Sequence, residues 1–375
     1  MNTPRITLIA SSCRPGGAER VMAIMANYWA SLGWRIHLLS LDNDATPFYP
    51  IHSDVVFKSL DLSQPLGGAP VALFRLHKRI HELRMAVCQT RPEVILSFND
   101  ITNILVLLAV RSLGVPVIVS ERNDPHCHPL KNPWRLLRGV TYRRANSVVA
   151  QTQSALTYFS SDIRQRGRVI PNPVLMPDPL PNSGRSEGRE RLRKVVLAMG
   201  RLEKQKGFDN LIQAFGKLAA RHSGWDLVIW GDGQERNALE NRIRDLGLQN
   251  RVLLPGTTKK PGEIMRNADL FVLSSYYEGF PNVLGEAMAH GLPVLSYNCP
   301  SGPSELIRDG IDGILVPPGN MEALGVGMDR LMSNEAERQK LSASAPQVVE
   351  RFGLKAIMEA WTHLIEELRR THRSM

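Results

Sequence analysis

The sequence predicts an α/β protein made of two doubly wound, Rossmann-like halves. Short apolar runs alternate with longer helical patterns along the whole chain, as expected for parallel strands buried between helices. A stretch rich in proline, glycine and serine, Pro171-Asn-Pro-Val-Leu-Met-Pro-Asp-Pro-Leu-Pro-Asn-Ser-Gly-Arg-Ser-Glu-Gly, interrupts that alternation. The 375 residues are long for one core and comfortable for two.

In the first half, residues 6–10, 36–40, 94–97 and 115–120 are apolar runs fit for buried strands, and 148–151 and 168–170 close the set. Helical patterns at 19–32 and 101–113 alternate with them. The first domain is therefore placed at 1–172, with a linker at 173–193. The second domain, 194–352, restarts with a strand at 195–199. Phe208, Leu211, Ile212, Phe215 and Leu218 then recur at helical spacing. Further strands are expected at 226–230, 251–254, 270–273, 294–297 and 313–316. Leu354, Ile357, Met358, Trp361, Leu364, Ile365 and Leu368 mark an amphipathic terminal helix at 353–375.

No apolar run reaches the roughly 18 to 20 residues a membrane span requires. The opening segment Met1-Asn-Thr-Pro-Arg-Ile-Thr-Leu-Ile-Ala reads as a first strand and not a signal peptide, so the expected location is cytoplasmic. Cys13, Cys88, Cys127 and Cys299 are scattered without a C-x-x-C pair, which argues against a zinc site or a disulfide framework. Net charge is +10 and unevenly spread. Residues 1–180 carry 20 basic against 12 acidic side chains, the remainder 26 against 24. A basic first half points to an anionic partner. Aromatics are 6% and no nucleic-acid motif is present, leaving a phosphate-bearing substrate or an anionic membrane surface.

The most specific string is Glu278-Gly-Phe-Pro-Asn-Val-Leu-Gly-Glu286. It predicts a loop running into a short helix at 283–290, with Pro281 in its first turn, Asn282 as its cap, and Gly291 and Pro293 beyond its end. Backbone N–H groups at such a start favour an anion, and the two carboxylates suit the hydroxyls of a sugar and of a ribose. Gly200-Arg-Leu-Glu-Lys-Gln-Lys-Gly207 joins a strand to a helix. Its Arg201 and Lys206 offer a guanidinium fork and a mobile ammonium to a diphosphate; a solvated basic loop is the plainer alternative. In Pro15-Gly-Gly-Ala-Glu-Arg-Val, Gly16 and Gly17 permit close backbone approach at a helix start, or serve a simple turn. Gly231-Asp-Gly233 reads as mostly structural. Glu121 and Arg122 follow a strand in Ser120-Glu-Arg-Asn-Asp-Pro, and a buried salt bridge from Glu121 to Arg122 or another partner is the plain reading there. The segment from Leu73 to Val87 is a basic amphipathic helix with Arg75, Lys78 and Arg79 within helical reach of one another. Its alternatives are a solvated face or a diphosphate-binding helix. The segment from Trp134 to Arg144 combines Trp, Tyr and arginines as membrane-interface segments do.

The string from Ser274 through Glu278 and Glu286 to Val294 resembles the nucleotide-sugar motif of retaining glycosyltransferases of family four. That resemblance implies the GT-B fold, two Rossmann-like domains facing a central cleft, with the terminal helix crossing back to the first. It implies that Arg201 and Lys206 neutralise the leaving nucleotide diphosphate in place of a metal ion, that Glu278 positions the donor sugar and that Glu286 holds the ribose. Backbone of Gly279, Phe280, Pro281, Asn282, Val283 and Leu284 would contact diphosphate and sugar, with Gly16 and Gly17 nearby. Leu254-Pro-Gly-Thr is similar to the segment beside the nucleotide base. Many members have a histidine where Arg122 stands. The helix carrying Arg75, Lys78 and Arg79 is similar to one in bacterial polyprenyl-diphosphate-oligosaccharide transferases, so these residues and Arg122 are candidate acceptor contacts. The segment from Cys299 to Gly310 looks like that of hexosyl and N-acetylhexosaminyl transferases building surface or protein-linked glycans. The implied donor is a nucleotide sugar, with UDP favoured, and the acceptor a lipid-linked oligosaccharide at the inner face of the cell membrane. No cofactor or metal is expected. Two rivals stand beside this reading: a nucleotide-cofactor oxidoreductase, disfavoured because no G-x-G-x-x-G string occurs, and a non-catalytic membrane-associated scaffold of the same fold.

Overall fold

The computed structural model describes residues 3–64, 69–177 and 193–373. The chain divides into two compact units, Met1–Asn172 with Lys355–Met375, and Pro173–Leu354. Of the expected linker, residues 178–192 lie outside the described residues.

Unit 1 holds strands β1 (Arg5–Ala10), β2 (Arg35–Ser40), β3 (Val55–Ser59), β4 (Val94–Phe98), β5 (Val117–Ser120), β6 (Ser147–Ala150) and β7 (Gly167–Val169). They pair in parallel in the order β3-β2-β1-β4-β5-β6-β7. Every residue of β4 is buried, which is why its sequence is mostly apolar without alternation, Ser97 alone being polar. β3 was not foreseen. It lies at the sheet edge, buries only Val55, exposes Val56 and Lys58, and so lacks the apolar signature of an inner strand. β5 begins at Val117, after Pro116, whose nitrogen has no hydrogen to give a neighbouring strand. Helices α1 (Gly17–Ser31), α2 (Ala69–Thr90), α3 (Asp100–Ala109), α4 (Trp134–Thr141), α5 (Gln153–Thr157) and α6 (Ser161–Arg164) connect these strands. The expected helix at 101–113 stops at Ala109, and the chain turns there through a Leu113 N–H to Val110 O bond.

Unit 2 repeats the scheme with β8 (Lys194–Met199), β9 (Trp225–Trp230), β10 (Val252–Gly256), β11 (Leu270–Leu273), β12 (Val294–Tyr297) and β13 (Ile314–Val316). These run parallel in the order β10-β9-β8-β11-β12-β13. Its helices are α7 (Phe208–Leu218), α8 (Arg236–Asp245), α9 (Pro261–Arg266), α10 (Asn282–Ala289), α11 (Pro303–Leu306), α12 (Met321–Ser333), α13 (Glu335–Ser344) and α14 (Val348–Phe352). α7 buries Phe208, Leu211, Ile212, Phe215 and Leu218 against the sheet, each contributing roughly 1.5–3 kcal/mol.

The last helix, α15 (Leu354–Arg373), packs within unit 1. Trp361 is fully buried with its ring near Phe98, the Trp29 indole N–H donates to Thr362 Oγ1 at 3.0 Å, and Arg369 pairs with Glu93 at 3.0 Å.

In each sheet the chain winds outward from its first strand and then restarts on that strand's other side. The reversal falls between β1 and β4 in unit 1 and between β8 and β11 in unit 2. Ligands of doubly wound sheets bind outside the carboxyl ends of the strands at such reversals.

Candidate functional site

At the unit 2 reversal, β8 runs into the Gly200–Gly207 loop and β11 into the Ser274–Glu278 loop. The first loop ends in a short 3-10 turn, Lys204–Lys206, closed by Gly207 at φ +60°, where a Cβ would overlap the Ser274 carbonyl oxygen. The two loops are stitched together. Tyr276 N–H donates to Gln205 O at 2.9 Å, Gln205 Nε2 to Tyr277 O at 2.8 Å, and Ser274 Oγ to Lys206 O at 2.8 Å. The result is an ion pair at 2.7 Å between Lys206 Nζ and Glu278 Oε1, whose side chains are 15% and 8% exposed. Each charge offsets the desolvation of the other, so removing either one strands its partner. Arg201 goes elsewhere. Its side chain is 66% exposed and pairs with Glu203 at 3.1 Å. The structure thus brings together Lys206 and Glu278 and leaves Arg201 at the rim of the same loop.

Gly231 and Gly233 hold this loop from the other side. Leu202 N–H donates to Asp232 O, and Gly231 N–H to Gly256 O, which lines up the ends of β8, β9 and β10. A Cβ at Gly231, φ +148°, would overlap the Gly200 carbonyl oxygen. The Leu254-Pro-Gly-Thr segment is fastened to the same place, because Arg236 donates to both Leu254 O and Gly231 O.

Beyond Glu278 the chain enters α10. The helix begins at Asn282, with Pro281 at its N-cap and no side-chain cap hydrogen bond. This corrects the expected cap: Pro281 has φ −78° and ψ 83°, outside the helical region, so Asn282 becomes the first helical residue. Phe280, Pro281 and Leu284 are buried, Phe280 edge-on to Phe352 at 5.7 Å. Gly279, Asn282, Val283 and Glu286 are partly exposed, Glu286 in the second turn. The loop after β12 closes on this helix start: a Cβ at Gly302, φ +104°, would overlap the Pro281 ring.

At the unit 1 reversal, Gly16 is the N-cap of α1 and Gly17 its first residue. The Glu19 carboxylate curls back over Gly16, where an added Cβ would overlap it, and accepts from Ser12 Oγ at 3.5 Å. A carboxylate of the chain itself therefore occupies the anion-favouring end of this helix. Asn99, after β4, adopts φ +72° and donates to Ser11 Oγ after β1 at 2.9 Å.

Arg122 is buried beside this reversal. It donates to Ser120 Oγ at 3.2 Å and to Asn172 Oδ1, and its guanidinium stacks 4.0 Å over the Phe98 ring. Burial pushes its pKa down to about 9, with Glu19 opposing. Its Nε has no hydrogen-bond partner among the described residues. Glu121 does not pair with Arg122. It accepts from the Tyr142 hydroxyl and lies 3.9 Å from Arg138 Nη1, and burial raises its carboxyl to about 7 despite that arginine.

The segment 134–144, read as similar to membrane-interface segments, is divided between core and surface. Arg138 and Tyr142 face the core, whereas Arg135, Leu136, Gly139, Val140 and the arginines after Tyr142 are exposed. On α2, Arg75 and Lys78 are exposed next to Leu73 and Phe74, 72% and 70% exposed. Arg79 is half-buried, its pKa lowered by burial and by the like charge of Arg75.

Sequence reasoning missed Gln205 and Glu19. Both stood inside strings already quoted, yet their roles depend on hydrogen bonds and contacts that residue type alone does not specify. Among the described residues, no group of three or more His, Cys, Asp or Glu side chains is placed to hold a metal ion, and no helix is long and apolar enough to cross a membrane.

Comparison with known proteins bears on the family and the fold. Residues 15–175 match the family model described as Glycosyltransferase Family 4, and residues 183–348 the one described as Glycosyl transferases group 1. The chain is 34% identical over 305 residues to a lipopolysaccharide 1,6-galactosyltransferase of Salmonella typhimurium, covering 79% of this chain and 80% of the relative. It is 28% identical over 369 residues to a GalNAc-alpha-(1->4)-GalNAc-alpha-(1->3)-diNAcBac-PP-undecaprenol alpha-1,4-N-acetyl-D-galactosaminyltransferase of Campylobacter jejuni, covering 97% and 99%. It spans only 21% of a longer exopolysaccharide phosphotransferase of Streptomyces coelicolor. The crystal structure of Anabaena HepE in complex with UDP superposes with TM-score 0.78 at 19% identity, over 97% of this chain and all of that one, a likeness of fold. Two parallel doubly wound sheets, the loop strings at their carboxyl ends and these matches together mean that the chain belongs to the family-four glycosyltransferases and has the two-domain GT-B fold.

Proposed function

We propose that the protein is a retaining, metal-independent transferase that moves a hexose or N-acetylhexosamine from a UDP-linked donor to a lipid-linked oligosaccharide in bacterial glycan assembly. The observation that carries this reading is the shielded Lys206–Glu278 pair at the reversal of unit 2. An ammonium and a carboxylate on adjoining loops suit a ligand with a diphosphate at one end and sugar hydroxyls at the other. In the proposed reaction the bond from the anomeric carbon to the β-phosphate oxygen breaks while the acceptor hydroxyl attacks from the same face. The acceptor proton passes to a donor phosphate oxygen. Lys206 and Arg201 stabilise the charge growing on the departing diphosphate, Glu278 orients the sugar, and Glu286 holds the ribose. Backbone from Gly279 to Leu284 meets diphosphate and sugar, and Gly16 and Gly17 approach the phosphates once Glu19 yields. No metal or other cofactor enters this scheme.

The acceptor side of the proposal rests on unit 1. Like charges at Arg75 and Arg79 are relieved by an anion such as the acceptor's diphosphate. Leu73 and Phe74 next to Arg75 and Lys78 suit a surface of anionic lipid, which supports a peripheral position on the inner membrane face. Arg122, with a hydrogen-bonding group to spare, is the proposed contact for an acceptor hydroxyl. The Campylobacter relative, named for an undecaprenol-linked substrate, and the UDP complex of the structural neighbour support this choice of acceptor and donor.

The test is a panel of UDP- and GDP-sugars with lipid acceptor extracted from membranes, using the full chain and its Glu278→Ala, Lys206→Ala and Arg201→Ala variants. Each substitution should cut turnover by about 100-fold or more, as loss of a transition-state donor does. Near-normal turnover in all three, with folding intact, overturns the assignment. A non-catalytic scaffold would transfer no sugar from any donor.

A further inference from the structure

We propose that Gln205 is a positioning residue for the donor sugar, acting through the peptide plane that carries Glu278. The proposal rests on the role assigned above to Glu278. Residues 274–281 between β11 and α10 form no regular secondary structure, so no ladder of backbone hydrogen bonds sets the direction of the Glu278 side chain. What holds this loop is the clamp at Gln205. Its Nε2 donates to Tyr277 O at 2.8 Å, and that carbonyl shares a rigid plane with the nitrogen and Cα of Glu278. Its own carbonyl accepts from Tyr276 N–H at 2.9 Å.

The geometry is reciprocal. Gln205 stands one residue before Lys206 and reaches the residue before Glu278, so both members of the ion pair are one peptide away from the same side chain. Ser274 Oγ to Lys206 O at 2.8 Å fixes the other end. Lys206 is thereby held through its own backbone, whereas the Glu278 peptide takes its bond from the Gln205 amide. Loss of that amide should disturb sugar placement more than diphosphate binding.

Two substitutions separate the possibilities. Gln205→Glu keeps length and shape but turns an oxygen toward the Tyr277 oxygen, and Gln205→Leu keeps bulk without a donor. On the full chain, both should lower turnover of the nucleotide sugar by about tenfold, the effect of leaving one shielded hydrogen bond unmade. UDP lacks the transferred sugar that Glu278 holds, so its dissociation constant by calorimetry should change by less than about threefold, whatever small loss the missing bond brings to the unfolding midpoint. Full turnover in both variants, where Glu278→Ala is inactive, overturns the proposal. So does a parallel fall in UDP affinity and unfolding midpoint, which marks a merely structural role, or a defect confined to Gln205→Glu, which marks a charge effect. An active Glu278→Ala would instead remove the reading of Glu278 beneath it, and the proposal with it.

Discussion

The carboxyl ends of the two sheets share one topology and differ in how they are built. In unit 2 the reversal between β8 and β11 is assembled from backbone. Gly207, Gly231 and Gly302 let main chain pass where a Cβ would collide, and short hydrogen bonds lock one loop to the next. Only then do Lys206 and Glu278 meet. In unit 1 the reversal between β1 and β4 is assembled from side chains. Glu19 covers the start of α1, Arg122 stacks on Phe98, and Phe98 packs against Trp361 of α15. Glu121, Arg138 and Tyr142 form a second buried cluster beside it. A backbone-built site places a ligand with little left to choose. A side-chain-built site can vary its chemistry without changing its fold, which suits the half of the molecule proposed to meet the variable acceptor.

That difference can be broken from either side. The largest effect is expected from Gly231→Ala. The new methyl would strike the Gly200 carbonyl oxygen at a φ of +148°, and neither main chain can yield cheaply. A loss on the order of 3 kcal/mol or more, with loss of UDP binding, is the expected outcome of denaturant unfolding and calorimetry. Unchanged UDP affinity would mean that the loop is not held by main chain. Trp361→Ala removes a fully buried indole from beneath Phe98 and should cost about 3–5 kcal/mol in the unfolding of unit 1. A cost under 1 kcal/mol would show that α15 does not support this reversal.

The third prediction concerns pH. Burial raises the Glu121 carboxyl from 4.5 to about 7. The folded protein keeps a proton there that the unfolded chain releases, so this group's contribution falls as pH rises from 4.5 to 7 and is level outside that window. Glu121→Gln has no proton to lose. Its midpoint, followed from pH 4.5 to 7.5, should fall less steeply than that of the parent chain, and equal slopes would show the carboxyl already ionised. Gly16→Ala should have the smallest effect, within about 1 kcal/mol, because its φ of −174° is ordinary and the methyl meets only the flexible end of Glu19. A cost matching that of Gly231→Ala would erase the distinction between the two ends.

Legibility followed the same division. The inner strands could be read because burial on both faces demands mostly apolar residues, as in Val94-Ile-Leu-Ser-Phe98, where the one polar side chain, Ser97, bonds Asn103. The edge strand β3 escaped because one side of an edge faces water and tolerates Lys58. In unit 2 the important residues stand in contiguous strings, since a main-chain loop must be built from neighbours. In unit 1 they are dispersed. Tyr142 and Arg138 face the core, a choice their segment's amphipathic pattern left open because it does not say which face meets water. Glu121 found Arg138 on α4 in place of the adjacent Arg122, whose side chain lies over Phe98.

From the order of residues alone come two alternating α/β units, the glycine and charged strings at the strand ends, and the resemblance of those strings to a glycosyltransferase family. All of these depend on local periodicity and on neighbours in the chain. The tertiary structure alone decided that Lys206 pairs with Glu278 and Arg201 with Glu203, that Glu19 covers Gly16, and that Gln205 reaches Tyr277. Ion pairs and hydrogen bonds require donor and acceptor to come within about 3 Å, and the contacts of Lys206 with Glu278 and of Gln205 with Tyr277 are distances between loops that the folding of a whole sheet brings together.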